Sequence, residues 1–418
     1  MNHENSQRGR QLFGNFDPEK LLEKYGSPLY LYDEQTFRDR CREMKRLIDY
    51  PGFTANYSIK ANSNLTLLRI AHEEGLYADA MSPGEIYVLE KAGYEPERIF
   101  FIPNNVDEEE MQYAVSRGIM VSVDSLSQLG LLGRIAPGAE IALRLNPGIG
   151  AGHHKKVVTA GKKTKFGIPE DQIEEAVRIA SSCQLKIAGI NQHIGSLFMT
   201  PDAYVAAVQH FLSLAATFPD LRLIDFGGGF GIPYRKMAGE TRLDLNDLGQ
   251  QLTELVRQFA DRYPNKVTFK IEPGRYIVAE CGVLAGRVLT RKTQGGTEYI
   301  GTDLGFNVLM RPILYDSHHD IELFRNGVSR CGQPEVPYTV VGNICESGDI
   351  LAHDRLLPIS EEGDIIVIHD AGAYGYAMSS NYNNRLRPAE VMITTQGQDI
   401  LIRKRETFDD LMALFPEV

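Results

Sequence analysis

The chain has 418 residues, 43% of them hydrophobic, which is enough to bury a large core and to divide into two domains. Its formal net charge of −11 argues against a nucleic-acid partner and against binding to an anionic membrane surface. No apolar run reaches the length of a membrane span, and residues 1–10 are polar without a signal-peptide core. The five cysteines (Cys41, Cys183, Cys281, Cys331 and Cys345) are scattered, with no CxxC spacing. The expectation is a cytoplasmic protein with neither a disulfide framework nor a bound metal.

Residues 28–32 (PLYLY) read as a strand, followed by an amphipathic helix through Phe37, Met44 and Leu47. From Thr54 a regular beat sets in. Short apolar strands are predicted at 54–59, 76–80, 99–102, 119–123, 140–145, 188–193, 222–226 and 267–271, with helical patterns in most of the gaps. One helix spans 106–117 with Asp107 as its cap, and one begins at Pro169. Another carries Tyr204, Val208, Phe211 and Leu212 on one stripe, and a fourth aligns Leu248, Leu252, Leu255, Val256 and Phe259. Eight strands alternating with helices predict a TIM-like (β/α)8 barrel rather than an open sheet, and the Rossmann glycine fingerprint is missing after the first strand. The stretch 148–165 is long, Gly-rich and basic, and reads either as a lid or as a plain solvated loop.

Near residue 280 the beat changes. Strands are predicted at 283–290, 298–302, 338–341 and 365–369 and within 391–403, with few helices between them. The expected organisation is therefore an α/β barrel domain over 36–278 and a β-rich sandwich or barrel formed by 1–35 and 279–418, which takes the N-terminal strand into its sheet.

In a barrel of this kind functional residues sit at the carboxyl ends of the strands. Here those ends offer Lys60, Asp79, Arg144, His193, the run Gly227, Gly228, Gly229, and Glu272, all aimed at one mouth. Lys60 follows a buried strand and is either a lysine surfacing at the strand end or a desolvated amine able to form a Schiff base. The glycine run is either a tight turn or a backbone-amide cradle for a phosphate, to which Gly274 would add. Glu272 suits pairing with a pyridine nitrogen, or is a surface carboxylate before a Pro-Gly turn. His193 would stack on a cofactor ring or serve the fold. Farther on, Arg311 offers a planar fork for a carboxylate, and Cys345 is followed closely by two acids, Glu346 and Asp349, beside which a proton-donor role suits it better than a thiolate role. His318 and His319 are adjacent and diverge, a poor arrangement for a metal.

These motifs together resemble the alanine racemase-like (fold type III) pyridoxal phosphate decarboxylases, and within them the diaminopimelate decarboxylases. The matching segments are 57–62 (YSIKAN), 165–167 (KFG), 193–196 (HIGS), 227–231 (GGGFG), 272–275 (EPGR), Arg311-Pro312 with Tyr315, 345–349 (CESGD), 372–375 (GAYG) and 380–383 (SNYN). The resemblance implies pyridoxal 5'-phosphate bound through Lys60, with Glu272 on its ring nitrogen and His193 stacked on the ring. Asp79, Arg144, Ser196, Gly227, Gly228, Gly229, Gly274 and Tyr374 join the cofactor site. Arg275, Arg311 and Tyr315 would bind the distal carboxylate of the substrate, with Tyr374 also beside it and Glu346 on the distal amine, while Cys345 donates a proton near the reacting carbon. It further implies a homodimer with shared active sites, and decarboxylation of meso-2,6-diaminopimelate at its D-centre to L-lysine in lysine biosynthesis. Leu197-Phe198 and Asn343-Ile344 depart from the family pattern beside the substrate. A decarboxylase of a D-amino acid, ornithine, lysine or carboxynorspermidine, or a non-catalytic cofactor-binding regulator, are the alternatives.

Overall fold

The computed structural model describes residues 16–416 apart from 147, 149–150 and 153–163. Most of the 148–165 stretch read as a possible lid lies outside the described residues. Two units emerge, one of Arg38–Pro233 with Thr241–Ile277, the other of the remaining described segments (16–37, 234–240 and 278–416).

The first strand, β1 (Leu29–Asp33), belongs to the second unit. The other unit is built on a barrel of eight strands, with three two-residue strands besides them: β2 (Phe53–Ser58), β3 (Tyr77–Ala80), β4 (Ile99–Phe101), β5 (Met120–Val123), β6 (Glu140–Asn146), β7 (Lys186–Asn191), β8 (Leu223–Asp225) and β9 (Thr268–Ile271) form the barrel. Each pairs in parallel with the next, and β9 pairs with β2, so the sheet closes into the expected (β/α)8 barrel. Closure leaves no unpaired edge. The helices form where the apolar period predicts them. In α1 (Glu108–Val115) Asp107 and Glu110 make a reciprocal capping box that satisfies two orphan N–H groups. Pro169 lies before the next helix rather than in its first turn; it ends a two-residue strand, and α2 (Ile173–Ser182) starts after an intervening 3₁₀ turn. In α3 (Asp202–Ala215) the buried stripe includes Tyr204, Val208, Phe211 and Leu212. In α4 (Leu245–Ala260) Asp244 caps the start and Leu248, Leu252 and Val256 are buried. Each such side chain contributes about 1.5–3 kcal/mol when removed from water.

Alternation along the strands decides what the barrel encloses. On β9, Phe269 meets Tyr50 and Phe259 outside the barrel, with ring centroids 5.3 and 6.1 Å away. Lys270 therefore faces inward, where its Nζ lies 4.9 Å from the centre of the Tyr77 ring and 5.5 Å from that of Phe100. Ser122 and Asn191 join across the interior through a 2.5 Å hydrogen bond. The barrel centre is thus polar, unlike the layers of branched apolar side chains usual in this architecture.

In the second unit β1 pairs antiparallel with β10 (Gly282–Gln294) and parallel with β16 (Ala389–Ile393), as expected for a strand delivered from the start of the chain. Between these in sequence come β11 (Thr297–Thr302), β12 (Ile321–Arg325), β13 (Glu335–Val341), β14 (Ile350–Pro358) and β15 (Ile365–Ile368); β17 (Asp399–Arg403) closes the order. The path β12-β15-β10-β1-β16-β17 is one mixed sheet, extended from β10 through β11, β13 and β14. The predicted 391–403 stretch is two strands joined by a turn in which Gly397 takes φ 76°. Strands β12 and β14 escaped prediction. One face of the sheet packs Leu29, Leu31, Val283, Ala285, Val367 and Val391 into a core. Among the described residues no helix is long and apolar enough to cross a membrane, and no group of three or more His, Cys, Asp or Glu is arranged to hold a metal ion.

Candidate active site

The residues expected at the barrel mouth come together, though several lie one or two positions past the strand ends. Lys60 sits in a 3₁₀ turn, Ile59–Ala61, directly after β2, and is half-buried. Asp79 and Arg144 are within β3 and β6 and are buried, while His193, Gly227 and Glu272 follow β7, β8 and β9. Ser58 Oγ lies 3.0 and 2.9 Å from the two carboxylate oxygens of Asp79 and 3.3 Å from the Glu272 carbonyl, tying three strand ends together.

Three carboxyls share this low-dielectric chamber, and burial dominates their chemistry. It raises the pKa of Asp79 against the pull of Lys60 and the Ser58 hydrogen bond. Asp225 is pushed up to about 7 by burial, although the Gly227 N–H (2.8 Å to Oδ1) and Lys270 favour its charge. Burial, reinforced by Asp225 and Asp79, holds Glu272 well above the usual carboxylate range despite Lys60 and Arg144. Lys270 is driven the other way: burial lowers its pKa against the three acids. His193 is pushed well below the usual imidazole range by burial and by the charges of Lys60 and Arg144. Its Nδ1 accepts from the Gly228 N–H at 3.2 Å, so the neutral ring keeps its proton on Nε2, and the 3.6 Å approach of Nδ1 to Glu272 is not an ion pair. Arg144 lies with its guanidinium 4.6 Å over the Phe166 ring.

The glycine run follows from close backbone approach as much as from any ligand. A Cβ on Gly228 would come within 2.0 Å of the Glu272 carbonyl oxygen, and one on Gly227 within 2.2 Å of the Gln192 carbonyl oxygen. Gly227 (φ 73°) and Gly229 (φ 109°) also occupy the left-handed region. The N–H groups of Gly227 and Gly228 are directed to Asp225 and His193. Those of Gly229 and Gly274 meet no acceptor among the described residues, which leaves these two for an anion. Arg275, 7% exposed, donates from Nη2 to Ser196 Oγ at 3.0 Å. The next residue, Leu197, takes φ 66°, an uncommon conformation for a branched side chain.

A pyridoxal cofactor can be tested against these atoms. Oε1 of Glu272 and Oδ2 of Asp225 are buried with no donor reaching them among the described residues. Such a pair of buried acceptor oxygens suits a cationic ring N–H, whose charge would favour ionisation of the carboxyl that receives it. An amine at Lys60 and the open amides of Gly229 and Gly274 suit an aldehyde and a phosphate. The residues fit the group. The segment 34–279 matches the family described as pyridoxal-dependent decarboxylase, pyridoxal binding domain.

The chain belongs to the pyridoxal-dependent decarboxylases. As a member it is a carboxy-lyase that uses pyridoxal phosphate. It is 41% identical over 414 residues to a diaminopimelate decarboxylase of Methanothermobacter thermautotrophicus, a match covering 97% of this chain and 95% of the relative. It is 35% identical over 413 residues to the diaminopimelate decarboxylase of Escherichia coli K12, covering 94% and 95%. A crystal structure of diaminopimelate decarboxylase from Helicobacter pylori complexed with L-lysine superposes with a TM-score of 0.86 at 33% identity, covering 95% of this chain and 98% of that one.

The other expected residues of this decarboxylase lie in the second unit. Arg311 opens α5 (Arg311–Tyr315), is 1% exposed, and places its guanidinium 4.4 Å over the Tyr234 ring. Tyr374 takes φ 57°, a strained conformation of the kind that collects at functional sites. Cys345 and Glu346 lie on an exposed turn. Asp349 builds that turn by accepting from the N–H groups of Phe306 and Ile344, both at 2.7 Å, and Tyr382 donates to Glu346 at 2.5 Å. Sequence reasoning missed Lys270 and Asp225. Lys270 stands two residues before Glu272, so strand alternation alone puts both on the inner face.

Proposed function

We propose that the protein decarboxylates meso-diaminopimelate at its D-centre, giving L-lysine and carbon dioxide. The observation that carries this reading is the 41% identity, spread over 97% of the chain, to a protein named diaminopimelate decarboxylase. Two buried arginines, Arg275 and Arg311, support it, because a substrate with a second carboxylate needs planar forks to hold it.

When bound, pyridoxal phosphate supplies an electron-withdrawing ring that stabilises the charge left on Cα as the carboxylate departs. The Lys60 amine holds the cofactor aldehyde, with Asp79 as its neighbouring counter-charge. Glu272 accepts a hydrogen bond from the ring nitrogen and keeps its proton in place. Neutral His193 packs against the ring, adding no positive charge to repel it. Arg144 offsets the negative charge of Glu272. Ser196, Tyr374 and the open N–H groups of Gly229 and Gly274 hold the phosphate, while Gly227 and Gly228, whose own N–H groups go to Asp225 and His193, let the backbone come close enough to border it. Arg275, Arg311 and Tyr315 bind the distal carboxylate, with Tyr374 also beside the substrate. The bond between Cα and the carboxylate breaks with its electrons left on Cα, and a proton from the Cys345 thiol takes the vacated position. Glu346 holds the distal ammonium. We assign Cys345 and Glu346 of one subunit to the site of the other in a homodimer, a role that the exposure of their turn in the single chain supports.

Carbon dioxide release from meso-diaminopimelate, D-lysine and L-ornithine tests the reading. Release should be fastest from meso-diaminopimelate, and Arg311→Ala should raise KM at least about tenfold while the bound-cofactor absorption persists. Fastest release from ornithine would refute the substrate, and loss of the absorption band would refute the role of Arg311.

A further inference from the structure

Arg311 does not stand alone in its unit. Its Nη1 lies 2.6 Å from Nε2 of His319, and Nη2 donates to Ser317 Oγ at 3.3 Å. The opposite ring nitrogen of His319, Nδ1, is 2.7 Å from the His369 carbonyl oxygen. His319 is 3% exposed and meets the Tyr234 ring edge-on at 5.2 Å, the same ring that the Arg311 guanidinium covers.

These distances settle the protonation of the imidazole. A guanidinium has only donors, so Nε2 of His319 must offer its lone pair to Arg311. A carbonyl has only acceptors, so Nδ1 carries the hydrogen and donates it to His369. His319 is therefore neutral, in the Nδ1–H form. A second proton would sit on Nε2, facing the Arg311 cation across 2.6 Å with no acceptor between them.

The other described groups around the ring have partners of their own. Arg355 donates to the His319 carbonyl and, from Nη2, to His318 Nδ1 at 3.0 Å. His318 passes its own proton from Nε2 toward Asp320 Oδ1 at 3.1 Å, and Asp320 Oδ2 accepts from the Met237 N–H at 3.0 Å. Glu322 is engaged by His369 Nε2 at 3.1 Å. Among the described residues the acids Asp320 and Glu322 are thus turned toward other donors, and the cations beside His319 include Arg311 and Arg355.

We propose that His319 is a positioning residue for substrate binding: as a neutral acceptor it fixes the plane of the Arg311 guanidinium, and on protonation it releases Arg311, setting an acid limit on substrate affinity. This rests on the assignment of Arg311 to the substrate carboxylate. The adjacent histidines, read from sequence as a poor metal pair, instead divide the labour: His318 locks Arg355 to Asp320, and His319 locks Arg311.

The test uses the full-length, cofactor-loaded protein with His319→Leu and His319→Gln. Glutamine keeps an acceptor oxygen for Arg311 but cannot titrate. At pH 7.5 His319→Leu should raise KM about tenfold or more with kcat within about threefold, and His319→Gln should restore KM to within about threefold of the parent. On acidification below the ordinary imidazole range the parent KM should climb while that of His319→Gln stays level. The bound-cofactor absorption should be unchanged in both. Independently of turnover, ¹⁵N-histidine NMR at pH 7.5 should show a neutral Nδ1–H imidazole that disappears from the spectrum of His319→Gln. Equal KM values in the parent and His319→Leu, an acid limb retained in His319→Gln, or an imidazolium or Nε2–H signal would each overturn the proposal. A parent protein inert toward every diamino acid would sink the substrate reading instead, and the NMR tautomer would still decide whether His319 accepts from Arg311.

Discussion

Asp225→Asn in the cofactor-stripped protein gives the sharpest test of the crowded carboxyl chamber. Asp225 is fully buried in the barrel, and its carboxyl is pushed from 3.8 up to about 7. In that interval the folded chain keeps a proton that the unfolded chain has already released, so stability falls as the pH rises. The window spans about three pH units, and at roughly 1.4 kcal/mol per unit the folded state gives up on the order of 4 kcal/mol between pH 4 and 7. Asparagine cannot ionise. It keeps an oxygen for the Gly227 N–H and supplies an NH₂ where Asp225 Oδ2 and Glu272 Oε1 now lack a donor. The variant should therefore match the parent near pH 4.5 and exceed it progressively toward pH 8, by up to about 4 kcal/mol. Urea unfolding should be followed by circular dichroism, because the chain contains no tryptophan for fluorescence. Parallel stability curves for the two proteins from pH 4.5 to 8, or a variant weaker than the parent at pH 8, would refute the buried, proton-holding role of Asp225.

Lys60→Ala should abolish carbon dioxide release and the absorption of lysine-bound cofactor while leaving the circular dichroism spectrum intact, since the side chain is only half-buried, in a turn whose buried residues are Ile59 and Ala61. Retained turnover at the parent rate would contradict its role. Gly228→Ala should cost about 1–3 kcal/mol and weaken cofactor binding, because its Cβ would collide with the Glu272 carbonyl and push that strand end away from the site. Thermal unfolding with and without added pyridoxal phosphate reads both effects, and an unshifted midpoint in both conditions would argue against the close approach.

The barrel was legible because its eight strands are short apolar runs, and a parallel strand buried on both faces must be one. The mouth was legible for a different reason: Lys60, His193 and Glu272 are residue types that a core strand end rarely carries without chemistry to do. The interior beneath was not. Lys270 and Asp225 look like ordinary strand-end charges until closure of the barrel turns them inward, and closure depends on pairings such as β9 with β2, which are about 215 residues apart. Strand β14 escaped notice because His353, Asp354 and Arg355 interrupt its apolar pattern and Asp354 adopts φ 43° at an irregularity in its pairing. The lock between Arg311 and His319 lay within eight residues, yet no spacing rule announces a neutral histidine facing a guanidinium.

Strand β1 carries a consequence for how the chain is made. Leu29–Asp33 is nearly all apolar or aromatic and lies in the middle of its sheet, yet its antiparallel partner Gly282–Gln294 begins about 250 residues downstream and its parallel partner Ala389–Ile393 follows about a hundred later. At roughly 5–20 residues per second, this strand leaves the ribosome some tens of seconds before either neighbour exists. During that interval its sticky edge has no partner within its own unit, and nascent copies on one messenger are the nearest alternative. The order in which the chain is made therefore leaves residues 29–33 waiting longest for the sheet that buries them.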